Sequence, residues 1–146
     1  MENEITFVKR DWIDGYLLEV ADFWDNYSAD ERELMTNGIG VDWMPLRFRD
    51  GLDDFSGFLP PSKEHDFSWE VLGRAFRNHR FGRATYRRLI KQADKRFYRN
   101  CRETMRQDGD TLFRRPLKYF KRRRIAKLFY RAVRIGAIAK TAERRK

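Results

Sequence analysis

The chain has a single cysteine, Cys101, so no intramolecular disulfide can form and nothing in its cysteine usage argues for an oxidising compartment. Long apolar runs are also missing. Nothing approaches the roughly 18 consecutive apolar residues of a membrane span, and Arg or Lys recurs every few positions from residue 74 onward. The opening MENEITFVKR interleaves acids and bases where a secretory leader carries an uninterrupted apolar stretch, so the expectation is a soluble protein without a signal peptide. The sequence carries no zinc-ligand spacing, internal repeat or low-complexity linker. Acidic residues become scarce in the second half: residues 1–79 hold 8 basic and 17 acidic side chains, residues 80–146 hold 24 and 5. That half is a polycation suited to anionic membrane surfaces or nucleic acid, and the charge alone does not choose between them.

With 146 residues and a hydrophobic fraction of 41%, the chain can bury one modest core, which predicts a single domain spanning residues 1–146. Asn37-Gly38, Asp50-Gly51, Gly57, Pro60-Pro61 and Asp108-Gly109 punctuate it into helical blocks. In residues 10–24, Trp12, Ile13, Tyr16, Leu17, Val20 and Trp24 recur at steps of three and four, the spacing of one helical face. Ser28 and Glu31 have capping-box spacing and start a short second helix through about Met35. Residues 36–61 read as one long irregular connection, of a kind that tends to be functional inside a small domain. Helix resumes from Ser62 or Lys63 to about Asn78, and again from about Thr85 to Arg106, the two pairing as an antiparallel hairpin. A basic amphipathic helix from Pro116 to about Thr141 places Ile125, Leu128, Phe129, Ala132, Val133 and Ile135 in one stripe among many Arg and Lys. The fold class expected is all-α: N-terminal helices over 1–35, the loop 36–61, a helix hairpin over 62–107, and a basic helix and tail over 114–146.

Ester hydrolysis at neutral pH needs a base for water, a group to orient that base, and positive charge where an oxyanion develops. His65 has an unperturbed pKa near the operating pH, and its neighbour Asp66 points about 100° away around the same helix. The orienting carboxylate must then come from another element, and Asp94 is the only acidic residue between Glu70 and Glu103. Asp66 is left to offer a hard anionic oxygen to Ca²⁺, with backbone carbonyls and waters completing the shell, and Gly38 and Gly40 permit the tight loop such ligation requires. On the bland side, His79 has no acidic neighbour and no assigned role. Cys101 sits on the apolar stripe of its helix as a buried thiol. Trp43, Phe48, Phe55 and Phe58 lie in the long loop, where they would rim a substrate entrance or insert at a membrane interface. The run Lys121-Arg122-Arg123-Arg124 is a phosphate-contact patch that suits lipid headgroups and a nucleic-acid backbone equally. No nucleic-acid fold signature accompanies it.

Three segments in order resemble the phospholipase A2 family. Thr36-Asn37-Gly38-Ile39-Gly40 is similar to its Tyr-x-Gly-x-Gly calcium loop, His65-Asp66 with Trp69 to its His-Asp-x-x-Tyr helix, and Ala93-Asp94-Lys95-Arg96-Phe97 to its Ala-Asp-x-x-Phe segment. Over residues 36–98 the combination resembles most closely the disulfide-free viral type of parvovirus capsid proteins, with similarity also to His-Asp-Phe bacterial forms and bacteriophage proteins. Thr36 and Trp69 stand where the family usually has tyrosines, and the connection from Gly40 to His65 is longer than in the secreted animal enzymes. The resemblance implies a Ca²⁺-dependent enzyme in which carbonyls of Thr36, Gly38 and Gly40 join Asp66 around the ion and the Gly38 amide helps hold the oxyanion. It further implies that His65, oriented by Asp94, deprotonates a water attacking the sn-2 ester of a glycerophospholipid. The implied partner is a phospholipid membrane surface, and the implied setting is cytoplasmic or virion-associated. The rival expectation is a non-catalytic scaffold of the same fold whose basic half docks on nucleic acid or on virion proteins.

Overall fold

The computed structural model describes residues 8–36 and 57–142. The chain begins with two antiparallel strands, β1 (Arg10–Ile13) and β2 (Tyr16–Glu19), followed by a 3₁₀ turn at Trp24–Asn26 and a short helix α1 (Ala29–Thr36). Three long helices complete it: α2 (Leu59–Arg77), α3 (Arg83–Gln107) and α4 (Pro116–Ala142). The mostly helical class is as expected, but the N-terminal helix over residues 10–24 is replaced by a hairpin. Its cause is Asp14-Gly15. Both residues take positive φ, 49° and 86°, the backbone of the tight turn that matches strand twist, and Ile13 pairs with Tyr16 across it. The apolar residues also satisfy a period of two, so Leu18 and Val20 turn inward while Trp12 stays exposed.

The outer edge of β2 is matched by side chains of α3. Asn100 accepts from the Glu19 amide at 2.9 Å and donates to the Glu19 carbonyl at 2.8 Å; Gln107 does the same for Leu17 at 3.1 and 2.8 Å. Two carboxamides two turns apart on a helix thus stand in for a third strand and satisfy backbone groups that burial would otherwise leave unpaired.

α1 starts as read, with Ser28 and Glu31 reciprocally bonded: the Ser28 amide donates to Glu31 Oε2 at 2.6 Å and the Glu31 amide to Ser28 Oγ at 3.2 Å. α2 begins earlier than expected. Pro60 and Pro61 sit inside its first turn, where a missing N–H costs nothing, and Phe58 beside them is fully buried rather than rimming a loop. Trp43, Phe48 and Phe55 lie outside the described residues.

α2 is wedged between two cores. One face presents Phe67 and Val71 to the hairpin and α1, with Phe67 ringed by Phe23, Trp24 and Tyr27. The other presents Trp69, Leu72 and Phe76 to Tyr86, Ile90, Ala93 and Phe97 of α3, and to Phe129, Val133 and Ala137 of α4. Contacts between Glu64 and Arg96 at one end and Phe76 and Tyr86 at the other run α2 and α3 antiparallel, as expected. α4 returns antiparallel along α3, joining Arg122 to Asp108 and Arg83 to the Thr141 carbonyl. Its inward face is Arg122, Ala126, Phe129, Val133, Ala137 and Thr141, so only part of the expected stripe is core: Leu128 and Ile135 are exposed on the opposite side. Cys101 is buried as anticipated, and burial pushes its thiol pKa up.

Arg122 is the chief electrostatic pin of this arrangement and departs from the reading of residues 121–124 as a surface patch. It is 5% exposed, bonds Asp108 at 2.6 Å and the buried Asp110 at 2.8 Å, and lies 4.9 Å over the ring of Phe58. Asp108 also accepts from the Tyr16 hydroxyl at 2.6 Å, so the turn after α3 ties the hairpin, α4 and the start of α2 together. Removing one partner of a buried pair strands the other, so Arg122→Ala is expected to lower the unfolding free energy by about 3 kcal/mol. Lys121→Ala, at an exposed side chain, should change it by under about 0.5 kcal/mol. Urea denaturation of the two variants checks this, and equal small effects would contradict it.

Candidate active site

His65 and Asp94 face each other across the α2–α3 interface. His65 Nε2 lies 2.7 Å from Asp94 Oδ1; His65 is 4% exposed and Asp94 is fully buried. The helical register that sets this distance comes from the apolar residues on either side: His65 is flanked by the rings of Trp69 at 4.8 Å and Phe97 at 5.0 Å. A buried carboxylate must be matched by donors or counter-charge, and Asp94 has three. Besides His65, the Trp69 indole N–H donates to Oδ1 at 2.9 Å and Arg134 of α4 donates to Oδ2 at 2.6 Å. The donor that the sequence lacked as a tyrosine is supplied by Trp69, one turn after His65 on α2. Tyr98 and Tyr130 pack on each other, ring centroids 5.4 Å apart.

Asp66 stands on the other side of the imidazole, with Oδ1 3.6 Å from His65 Nδ1. Its carboxylate is partly exposed and makes no ion pair with Lys or Arg among the described residues. Burial pushes the His65 pKa down, but the carboxylates of Asp66 and Asp94 outweigh it and hold the imidazole at about 9, above its ordinary 6.5.

Beside the dyad runs a second buried polar chain. Glu64 Oε1 accepts from the Ala21 amide at 3.1 Å, the Ser68 hydroxyl at 2.8 Å and Arg96 Nε at 2.9 Å. It joins the segment after the hairpin to α2 and α3 at the level of His65, and so fixes the helix turn that carries the imidazole. Neither this chain nor Arg134 was anticipated. Arg134 follows the inward-facing Val133 and flanks the core face of α4, and that position beside the apolar stripe is the only signal that separates it from the other cations of this basic amphipathic helix.

No family model, no curated protein and no solved structure matched this chain. The site therefore stands on its own geometry.

Of the residues expected around calcium, Asp66 lies beside His65 and Thr36 closes α1, its hydroxyl donating to the Glu33 carbonyl at 2.9 Å. Gly38 and Gly40 lie outside the described residues. Among the described residues no three His, Cys, Asp or Glu side chains gather as a metal-binding group. A site of one carboxylate with backbone carbonyls requires no such cluster. The run proposed for polyanions divides: Lys121 and Arg124 are exposed, Arg123 is half-buried, and Arg122 is committed to Asp108 and Asp110.

In chelator, the His65 ring resonances are expected to titrate near 9, and Asp94→Asn should move that midpoint down, since it removes a charge that favours the imidazolium. Because the folded-state pKa lies above 6.5, stabilisation from this group is fully present below about pH 6.5 and is lost as pH rises through about 9. NMR titration of the native protein and the variant reads both; an unshifted midpoint in Asp94→Asn would contradict the assignment.

Proposed function

We propose that the chain is a Ca²⁺-dependent phospholipase A2-like hydrolase that cleaves the sn-2 ester of glycerophospholipids, with His65 as general base, Asp94 as its orienting carboxylate and Asp66 as the calcium carboxylate. The observation that carries the reading is the 2.7 Å contact between His65 Nε2 and the buried Asp94. A carboxylate only accepts, so Nε2 carries the proton, and the ring acts as base in its neutral form, which presents its lone pair on Nδ1 and predominates only above the pKa of about 9 that Asp66 and Asp94 impose. That nitrogen takes a proton from water as the water oxygen bonds the ester carbonyl carbon. The same proton passes to the departing alcohol oxygen when the ester C–O bond breaks. Asp94 stabilises the imidazolium formed between these steps, and Trp69 and Arg134 hold its carboxylate in position. Asp66, with the carbonyls of Thr36, Gly38 and Gly40, would hold Ca²⁺, which when bound supplies positive charge for the ester carbonyl oxygen; the Gly38 amide would assist there.

The substrate's setting is an anionic phospholipid surface. Leu117, Phe120, Leu128, Ile135 and Ile138 are exposed and, at 100° per residue, fall on the side of α4 turned away from its core face. Lys121, Arg124, Lys127 and Arg131 are exposed among them, and α4 contains no acidic residue. An apolar row bordered by cations suits the headgroup boundary of a bilayer. Among the described residues no helix is long and apolar enough to cross one.

The test is release of fatty acid from mixed phospholipid vesicles with Ca²⁺ or excess chelator. Release should require Ca²⁺ and fall by at least about 10²-fold in His65→Ala. Trp69→Phe, which removes one hydrogen bond to the charged Asp94, should cost about tenfold. No release from the folded protein under any condition would replace this reading with that of a non-catalytic scaffold.

A further inference from the structure

A second site lies away from the dyad, in a cleft of about 440 Å³ between the hairpin, the C-terminal half of α3 and the N-terminal half of α4. Arginines from three elements line it: Arg10 of β1, Arg99, Arg102 and Arg106 of α3, and Arg123 of α4. The three on α3 lie at spacings of three, four and seven, which places them on one side of that helix. Two have carboxylate partners within the cleft, Arg99 with Glu19 at 2.8 Å and Arg106 with Glu103 at 2.6 Å. Asp110, the third acid of the lining, is engaged by Arg122 from behind. Arg10, Arg102 and Arg123 make no ion pair among the described residues.

Arg123 gives the cleft its direction. It is half-buried with its guanidinium 6.0 Å over the ring of Tyr119, another lining residue, so the fork is held against an aromatic face. Its Nε is buried and makes no hydrogen bond among the described residues. A buried donor on a cation calls for an acceptor, and five guanidiniums against three carboxylates, one of them already engaged by Arg122, leave an excess of positive charge that calls for more than one negative charge. The volume is that of a small-molecule site. From these observations we infer that the cleft binds a phosphate group carrying two or more charges, as a phosphomonoester or diphosphate, whether on a soluble molecule or on a lipid headgroup.

Inorganic pyrophosphate followed by isothermal titration calorimetry tests the soluble source. Co-sedimentation with phosphatidic acid vesicles, against phosphatidylcholine vesicles, tests the headgroup. Saturable binding in either arm is expected, weakened about tenfold or more by Arg102→Gln and by Arg123→Gln, each of which removes charged hydrogen bonds. Arg88→Gln, at an exposed position of α3 outside the cleft, should change it by less than about twofold. Arg102 is exposed, so its variant keeps the test sound even where Arg123→Gln disturbs folding. His65→Ala should bind as the native protein does, which separates this site from the proposed hydrolysis. No saturable binding in either arm, or equal weakening by Arg88→Gln, overturns the inference.

Discussion

Everything in the centre of this molecule is arranged around one buried carboxylate. Asp94 has no access to water, and a charge in that position persists only where partners repay its lost hydration. Its partners come from two elements besides its own helix: His65 and Trp69 from α2, Arg134 from α4. Each is a directional donor, so the carboxylate constrains the register of all three long helices where apolar packing alone would tolerate small slides. The catalytic geometry proposed for His65 is then a by-product of how the chain solves a burial problem.

A similar economy appears where the chain, without a disulfide, must fasten its smaller parts. The hairpin is too short to be stable on its own, and α3 receives it through two carboxamides that imitate a neighbouring strand. Arg122 gathers the turn after α3, α4 and the segment leading into α2 around one guanidinium. Such contacts add little net energy when intact, but they are costly to leave half-made, which is how polar groups inside a small core impose one arrangement among several of similar apolar burial.

Much of this was legible in the sequence where one physical rule acted alone. The capping box at Ser28 and Glu31, the three long helices to within a few residues, the antiparallel hairpin and the meeting of His65 with Asp94 all follow from periodicity, caps and the scarcity of acids between residues 71 and 102. Reading failed where two rules competed. The apolar residues of 10–24 fit both helical and strand spacing, and the left-handed turn at Asp14-Gly15 decided between them. Pro60-Pro61 carries the sequence signature of a break, but a helix also accepts proline in its first turn, where these two sit. On α4 two apolar rows exist, one inward and one outward, and the sequence does not say which of them meets α3. The partners of Asp94 and Asp110 on α4 were hidden for the same reason: a cation used internally looks, in sequence, like its exposed neighbours.

The central claim is that Arg134 and Asp94 are energetically coupled, so that α4 completes the dyad's support. A thermodynamic cycle of Asp94→Asn, Arg134→Gln and the double variant, read by urea unfolding, measures that coupling directly. The account expects an interaction energy of about 2 kcal/mol, with the double variant less destabilised than the sum of the single ones. Additive effects, agreeing within about 0.5 kcal/mol, would contradict it.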